Sequence, residues 1–285
     1  MAGELTRTAI LAQPDWLARV PTGRRLPEGR VLFTGCGTSF HAAQTGGEAV
    51  QALELVLDPR EADLLVLVSH EGETPLTLEA AKAFPGPKWC VTGAPESPIA
   101  AVCEKVVVVT PELERSYCHT AGYTCAVAAI AALRGEDVSR LPEAVAGALA
   151  DPFSVSPHSR WLVAGAGRDW PTAQEAVLKL REGAFLPAEA HHTEQLLHGD
   201  LAAVDETVRA FVLEGEGRAA ERARDAVAAL EQLGCDVALV PTSHPVVDIV
   251  RFQVLTVELA QERGVNPDLI RRDDERWLRA REAYA

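Results

Sequence analysis

The sequence predicts an α/β protein built on doubly wound, mainly parallel sheets, and three observations carry that expectation. Strand-length apolar runs alternate with helix-length stretches along most of the chain, the pattern of successive parallel βα units. The run Leu64-Leu-Val-Leu-Val-Ser is apolar without alternation, as a central strand covered on both faces must be. A strand followed by a glycine turn also occurs twice, first as Arg30-Val-Leu-Phe-Thr-Gly-Cys-Gly-Thr-Ser-Phe-His and later as Trp161-Leu-Val-Ala-Gly-Ala-Gly-Arg-Asp-Trp. Gly35 and Gly37 are answered there by Gly165 and Gly167, and a repeated unit implies a repeated substructure.

Taken in order, residues 5–20 have helical periodicity interrupted by Pro14, and a Pro/Gly-rich loop follows to residue 29. This helix is expected to pack on a sheet or on a partner subunit. Residues 31–33 read as a strand, 41–53 as a helix and 55–57 as a short strand. Strand 64–68, helix 76–84, strand 88–92, a short helix at 98–103, strand 106–109 and a long small-residue helix at 117–133 complete the first half. Residues 141–157 read as a linker holding one helix. The second half repeats the alternation, with strands at 161–164, 208–213 and 236–240 and helices at 171–186, 217–233 and 246–262. The expected division is an N-terminal segment 1–29, a first domain 30–140, a linker 141–157, a second domain 158–262 and a charged tail 263–285.

Length and composition bound the function. A chain of 285 residues allows one large domain or two ordinary ones. A net charge of −14 disfavours nucleic acid, which needs a basic surface, and leaves local anion sites open. No apolar run is long enough to span a membrane, and the N-terminus lacks the apolar core of an export signal. The six cysteines include no Cys-x-x-Cys pair, so reduced thiols and a cytoplasmic location are expected.

In the first glycine loop, Gly35 and Gly37 permit a sharp turn and close approach of backbone to a ligand. Thr38 and Ser39 can cap the next helix, and Cys36 lies between the glycines, where backbone contact is a better expectation than nucleophilic attack. Such a loop aims N–H groups at a small anion or sugar, although a tight connection without ligand has the same form. Ser69, His70, Glu71, Gly72 and Thr74 form a second glycine loop after the buried strand, and ligands of such sheets bind at the carboxyl ends of strands. Glu175, Lys179 and Glu182 share one helix face, as either a solvated ion-pair stripe or an acid–base site. His198 stands beyond them in a turn. His191 and His192 are adjacent, point different ways and have no evident third ligand, so neither a metal nor a cofactor is expected. His70 and His119 face the presumed cleft.

These motifs together resemble the double sugar isomerase (SIS) domain family. Gly35-Cys-Gly-Thr-Ser-Phe-His-Ala-Ala is similar to the family's first loop, and Ser69-His-Glu-Gly-Glu-Thr to its Ser-Gln-Ser-Gly-Glu-Thr loop. Glu175-Ala-Val-Leu-Lys-Leu-Arg-Glu resembles the Glu-Gly-Ala-Leu-Lys-Leu-Lys-Glu helix, and Glu194-Gln-Leu-Leu-His-Gly resembles Gly-Glu-Leu-Lys-His-Gly-Pro. The pattern is similar to the isomerase half of glucosamine-6-phosphate synthase and its stand-alone relatives, without the glutamine-hydrolysing domain. The resemblance implies two tandem SIS domains, each with a flavodoxin-like sheet, and a sugar phosphate or amino-sugar derivative as ligand. It implies acid–base proton transfer between C1 and C2 after ring opening, in an isomerase, deaminase or deglycase. It assigns proton transfer to Glu182, charge stabilisation to Lys179 and ring opening to His198, which is reached across the interface of a homodimer. Glu175 belongs to the same helix motif.

The chain departs from the family at three places. Glu71 replaces a phosphate-loop serine, Ala121 stands where the family has lysine, and no lysine follows Asn266-Pro-Asp in the tail. A carboxylate at position 71 opposes a dianion by Coulomb repulsion. These changes keep two further readings open: an enzyme for an unphosphorylated sugar, and a non-catalytic SIS module that binds a carbohydrate derivative. Arg271 or Arg272 is available to hold an anion.

Overall fold

A computed structural model describes residues 2–284. The first helix, α1 (Glu4–Leu17), runs unbroken through Pro14. A proline inside a helix leaves the carbonyl four residues earlier without its amide donor, here that of Ile10. The Gln13 side chain supplies the donor, Nε2 to the Ile10 carbonyl at 3.0 Å, and the same amide reaches Gln253 Oε1 at 2.9 Å. The face Thr6, Ala9, Ile10, Gln13, Leu17 is buried against helices of both halves rather than against either sheet.

The first half follows as β1 (Val31–Thr34), α2 (Thr38–Gln44), α3 (Ala52–Leu57), β2 (Leu64–Val68), α4 (Pro75–Ala83), β3 (Lys88–Thr92), β4 (Lys105–Val108) and α5 (Ala121–Leu133). The sheet is parallel throughout, in the order β1-β2-β3-β4. Two expectations fail between β1 and β2. The helix expected over 41–53 ends at Gln44, and the strand expected at 55–57 is the end of α3. Gly46 lies so close to the Phe33 ring that a Cβ there would sit 2.5 Å from it, and Gly47 adopts φ 129°. The chain turns there and lays residues 48–50 along β1, with Phe33 N–H donating to Glu48 and Val50 N–H to Phe33 at 2.9 and 3.0 Å. Gln51 then caps α3, its Oε1 accepting from Leu53 N–H at 2.7 Å.

Helix α6 (Leu141–Leu149) leads to the second half: β5 (Arg160–Gly165), α7 (Trp170–Ala184), β6 (Ala188–His192), α8 (Thr193–His198), β7 (Val208–Leu213), α9 (Arg218–Gln232), β8 (Asp236–Val240), α10 (Pro245–Asp248) and α11 (Val250–Glu262). A last helix, α12 (Glu275–Glu282), lies in the tail. The second sheet is also parallel, ordered β6-β5-β7-β8. The sequence reading missed β6 because Ala-Glu-Ala-His-His carries no β-branched or aromatic run. It pairs with β5 as residues 48–50 lie along β1, but the first half makes only an isolated bridge there.

Phe33, Val66, Val91, Trp161, Val163, Phe211 and Phe252 belong to one continuous cluster between the sheets. Every residue of α5 is buried, most of them in this cluster, as expected of a helix apolar on all sides. Leu141 and Val145 of α6 join the same core, and Phe153 packs on Phe211 and Phe252 at 4.7 and 4.9 Å between ring centroids. The outer faces are covered separately, Leu32, Leu65, Leu67 and Cys90 by one set of helices and Leu162, Ala164, Ala210 and Val212 by another.

Candidate functional site

Gly35 ends β1 where a Cβ would meet the Val68 carbonyl at 2.9 Å, so the ends of β1 and β2 touch only because glycine stands there. Gly37, at φ 54°, starts α2 and aims Thr38 and His41 across to α7 of the second half. Glu175, fully buried on α7, accepts from Thr38 Oγ1 at 3.2 Å and pairs with His41 Nδ1 at 2.8 Å. Lys179 is likewise fully buried, 3.4 Å from Glu175 Oε1. Its Nζ donates to Glu182 Oε2 at 2.8 Å, the His119 carbonyl at 3.0 Å and Thr38 Oγ1 at 3.2 Å. Burial opposes the lysine charge, but Glu182 and Glu175 outweigh it and hold the ammonium well above the ordinary lysine pKa. Glu182 differs from its two neighbours in being 28% exposed, so of the three it is the one a ligand can reach.

A second wall is built on Glu114, also buried. Its carboxylate accepts from the Thr120 and Gly122 amides and from the Thr120 hydroxyl, at 2.8–3.0 Å. Burial pushes its pKa up while those donors pull it back. The Glu114 amide donates to His70 Nε2 at 3.0 Å, which leaves the proton of a neutral His70 on Nδ1. The His70 and His119 rings lie 4.8 Å apart. Burial lowers the His70 pKa to about 4. Burial, then the charges of His70, Lys179 and Arg272, lower that of His119 to about 3. Both imidazoles are therefore neutral at neutral pH. With Thr38, Ser39, Thr92 and Tyr123 they line a small pocket, and His70 Nδ1, His119 Nε2 and the Tyr123 hydroxyl have no hydrogen-bond partner among the described residues.

The expected site residues divide. Thr38, Ser39, His70, Glu175, Lys179 and Glu182 converge, and the Gly35–Gly37 turn positions them. Cys36 places its Sγ 3.6 Å from Thr77 Oγ1. Ser69 Oγ and Thr74 Oγ1 face each other at 3.4 Å. Gly72, at φ 67°, packs against Ser97, and Glu71 is exposed, so water screens its charge. His198 lies outside the network on α8, with a side chain 71% exposed and 2.7 Å from Glu194 Oε1. His191 is held by Asp200 and Glu189, and His192 stacks on Trp170 at 3.7 Å. Among the described residues no cluster of metal-ligating side chains is found, and no helix is long and apolar enough to cross a membrane.

The sequence reading missed His41 and Glu114. His41 stood in the first loop motif, one helical turn after Thr38, and that spacing was a usable signal. Nothing local marked Glu114, which acquires its role through residues 120–122. The mirrored glycine turn of the second half is closed by its own acid. Asp169 Oδ2 accepts from Thr242 Oγ1 at 3.0 Å, so the two halves are not equivalent as sites.

No family model matches the chain. It is 28% identical over 235 residues to glutamine–fructose-6-phosphate aminotransferase (isomerizing) of Bradyrhizobium diazoefficiens, a match covering 68% of this chain and 39% of that protein. It is 27% identical over 300 residues to the Pyrococcus horikoshii enzyme of the same name, covering 84% and 50%. The chain thus matches half or less of the length of these relatives. Among solved structures, the C-terminal domain of glucosamine-fructose-6-phosphate aminotransferase from Francisella tularensis superposes with a TM-score of 0.81 at 20% identity, over 93% of this chain and 98% of that one. Glucosamine-6-phosphate deaminase from Thermotoga maritima gives 0.75 at 21%, over 93% and 97%. Tagatose-6-phosphate ketose/aldose isomerase from Escherichia coli gives 0.76 at 17%, over 94% and 95%. The parallel α/β fold is shared with all three, and the sequence is homologous to the isomerase half of the aminotransferase.

Proposed function

We propose that the protein is an enzyme of the sugar-phosphate isomerase and deaminase type, moving a proton between C1 and C2 of an opened sugar or amino-sugar phosphate. The observation that carries the reading is the Thr38–Glu175–Lys179–Glu182 network, which joins the first glycine loop to α7 and leaves one carboxylate accessible. Glu182 is the base that takes the proton from one carbon and returns it to the other. Lys179 has its three N–H groups engaged, so it acts by orienting Glu182 and neutralising the buried acids. Glu175 holds Thr38 and His41 in register. His198, outside the network of its own chain, is the ring-opening group supplied to a neighbour's site. The homology to an aminotransferase that acts on fructose 6-phosphate supports the substrate class.

The test is turnover of fructose 6-phosphate, tagatose 6-phosphate and glucosamine 6-phosphate by the wild type and by Glu182→Gln. The variant keeps shape and loses the base, so kcat is expected to fall about 100- to 10,000-fold while binding by calorimetry stays within a few-fold. Unchanged turnover in the variant removes Glu182 from the chemistry. A wild type that binds these sugars and converts none favours the non-catalytic carbohydrate-binding reading.

A further inference from the structure

We propose that the cavity beside the first glycine turn binds one uncharged oxygen of the ligand, a hydroxyl or a carbonyl, through His70, His119 and Tyr123. The proposal rests on the sugar-phosphate reading for the identity of the ligand and on the cavity itself for the kind of group it takes.

The cavity lies at the carboxyl ends of the first sheet, where ligands of such sheets bind. Val68 and Val91, with Val109, give it an apolar floor and are almost fully buried. Thr38, Ser39, His70 and His119 line it too, and these four are only half-buried, so it opens on their side. Two of them tie it to the buried charges of α7. Lys179 Nζ donates to Thr38 Oγ1 at 3.2 Å and to the His119 carbonyl at 3.0 Å. The cavity and the Glu175–Lys179–Glu182 network therefore share a wall.

Three side chains of this wall and floor carry polar atoms without a partner among the described residues: His70 at Nδ1, His119 at Nε2 and Tyr123 at its hydroxyl. Buried polar groups are paired as a rule, and Tyr123 is 1% exposed, so bulk water does not serve it. The Glu114 amide donates to His70 Nε2, which makes Nδ1 a donor. Burial keeps the Tyr123 phenol protonated, so its hydroxyl is a second donor. Gly122 leaves the His70 edge uncovered, since a Cβ at that position would sit 2.9 Å from Nδ1.

Charge and size select the group. Amides at the start of a helix ordinarily suit an anion, but those at the start of α5 are taken by the protein's own carboxylate. Thr120 and Gly122 N–H donate to Glu114 at 2.8–3.0 Å. Both imidazoles are neutral at neutral pH, and no Lys or Arg is among the described residues lining the cavity. A buried acid behind the wall and no cation in it disfavour a phosphate there. The space itself admits about one group the size of a water molecule. An uncharged oxygen accepting from His70 and Tyr123 meets both conditions, and a phosphate on the same ligand stays outside.

Calorimetry and thermal unfolding of the wild type, Tyr123→Phe and Gly122→Ala decide it. The probes are fructose 6-phosphate, glucose 6-phosphate with its 2-, 3- and 4-deoxy analogues, sorbitol and inorganic phosphate. Tyr123→Phe keeps the shape of the core and removes one donor. It is expected to weaken the sugar phosphates about 3- to 10-fold, to leave inorganic phosphate unchanged and not to lower the melting temperature. Gly122→Ala, which sets a methyl against His70 Nδ1, weakens them further. One deoxy analogue, lacking the oxygen that the cavity holds, binds wild type and Tyr123→Phe alike. Unchanged sugar affinity with a lower melting temperature in Tyr123→Phe makes the cavity a site for structural water and overturns the proposal. So does a loss that extends to inorganic phosphate, a loss equal for glucose 6-phosphate and every deoxy analogue, or a wild type that binds none of these polyols. Sorbitol held through Tyr123 by a protein that converts no sugar phosphate upholds the cavity and removes the enzyme reading. Turnover abolished in Glu182→Gln, with affinity indifferent to Tyr123→Phe, does the reverse.

Discussion

Lys179 illustrates how a residue's role depends on its count of donors. On an exposed helix the Glu175, Lys179, Glu182 spacing is worth a few tenths of a kcal/mol per pair. Buried, it becomes a junction, since the ammonium's three donors bind a carboxylate, a carbonyl and a hydroxyl from three segments. His70 and His119 are the opposite case, neutral because burial makes charge costly. The stability consequence has a definite sign. Unfolded, each imidazole titrates near 6.5; folded, near 4 and 3. Between those values the unfolded chain binds more protons, so stability is full above about pH 6.5 and is lost as pH falls toward 4. Each histidine contributes at most about 1.4 kcal/mol per pH unit. Urea unfolding at pH 5 and pH 7.5 should therefore show a shallower pH dependence for His70→Gln than for the wild type. An unchanged dependence would mean that His70 is not a buried neutral group.

Helix α1 shows an element surviving a residue that should end it. Pro14 removes a donor in mid-helix, and Gln13 restores it while bridging to Gln253 on α11. The bridge also explains why a helix in contact with α5, α6 and α11 keeps a fully buried glutamine. Gln13→Ala is expected to destabilise by about 1–3 kcal/mol, because it leaves the Ile10 carbonyl and the Gln253 amide group short of partners in a buried site. Thermal unfolding checks this. A melting temperature within a degree of the wild type would show that water replaces the amide. On α7 the same logic serves function: Glu175 and Lys179 are buried by neighbours from the first half, while Glu182, one turn later, emerges where those neighbours end.

At the scale of the molecule, two parallel four-stranded sheets share a single inner core, and the candidate site forms where α7 of the second half meets the first glycine turn. The second turn is closed by Asp169. His198 stands exposed and apart from that site in its own chain. Its proposed role requires a second copy, and sedimentation at micromolar concentration should show a homodimer. His198→Ala should then slow turnover without altering the sedimentation coefficient. A monomer that retains full turnover would exclude the shared site.

The parallel α/β class, the repeat and most strands were determined by the sequence, because unbroken apolar runs and helical periods are local properties of the chain. The shared helix face of Glu175, Lys179 and Glu182 was equally local, whereas the meeting of that face with Thr38 was not. What the tertiary structure decided was everything that depends on distant neighbours. Residues 55–57 are helical because Gln51 caps them after the chain bends around Phe33, and Ala188–His192 is a strand because β5 lies beside it. Glu114 matters because residues 120–122 fold back onto its carboxylate. The tail takes its course because Asp268, Tyr117 and Arg281 hold it, contacts that no spacing in the chain encodes.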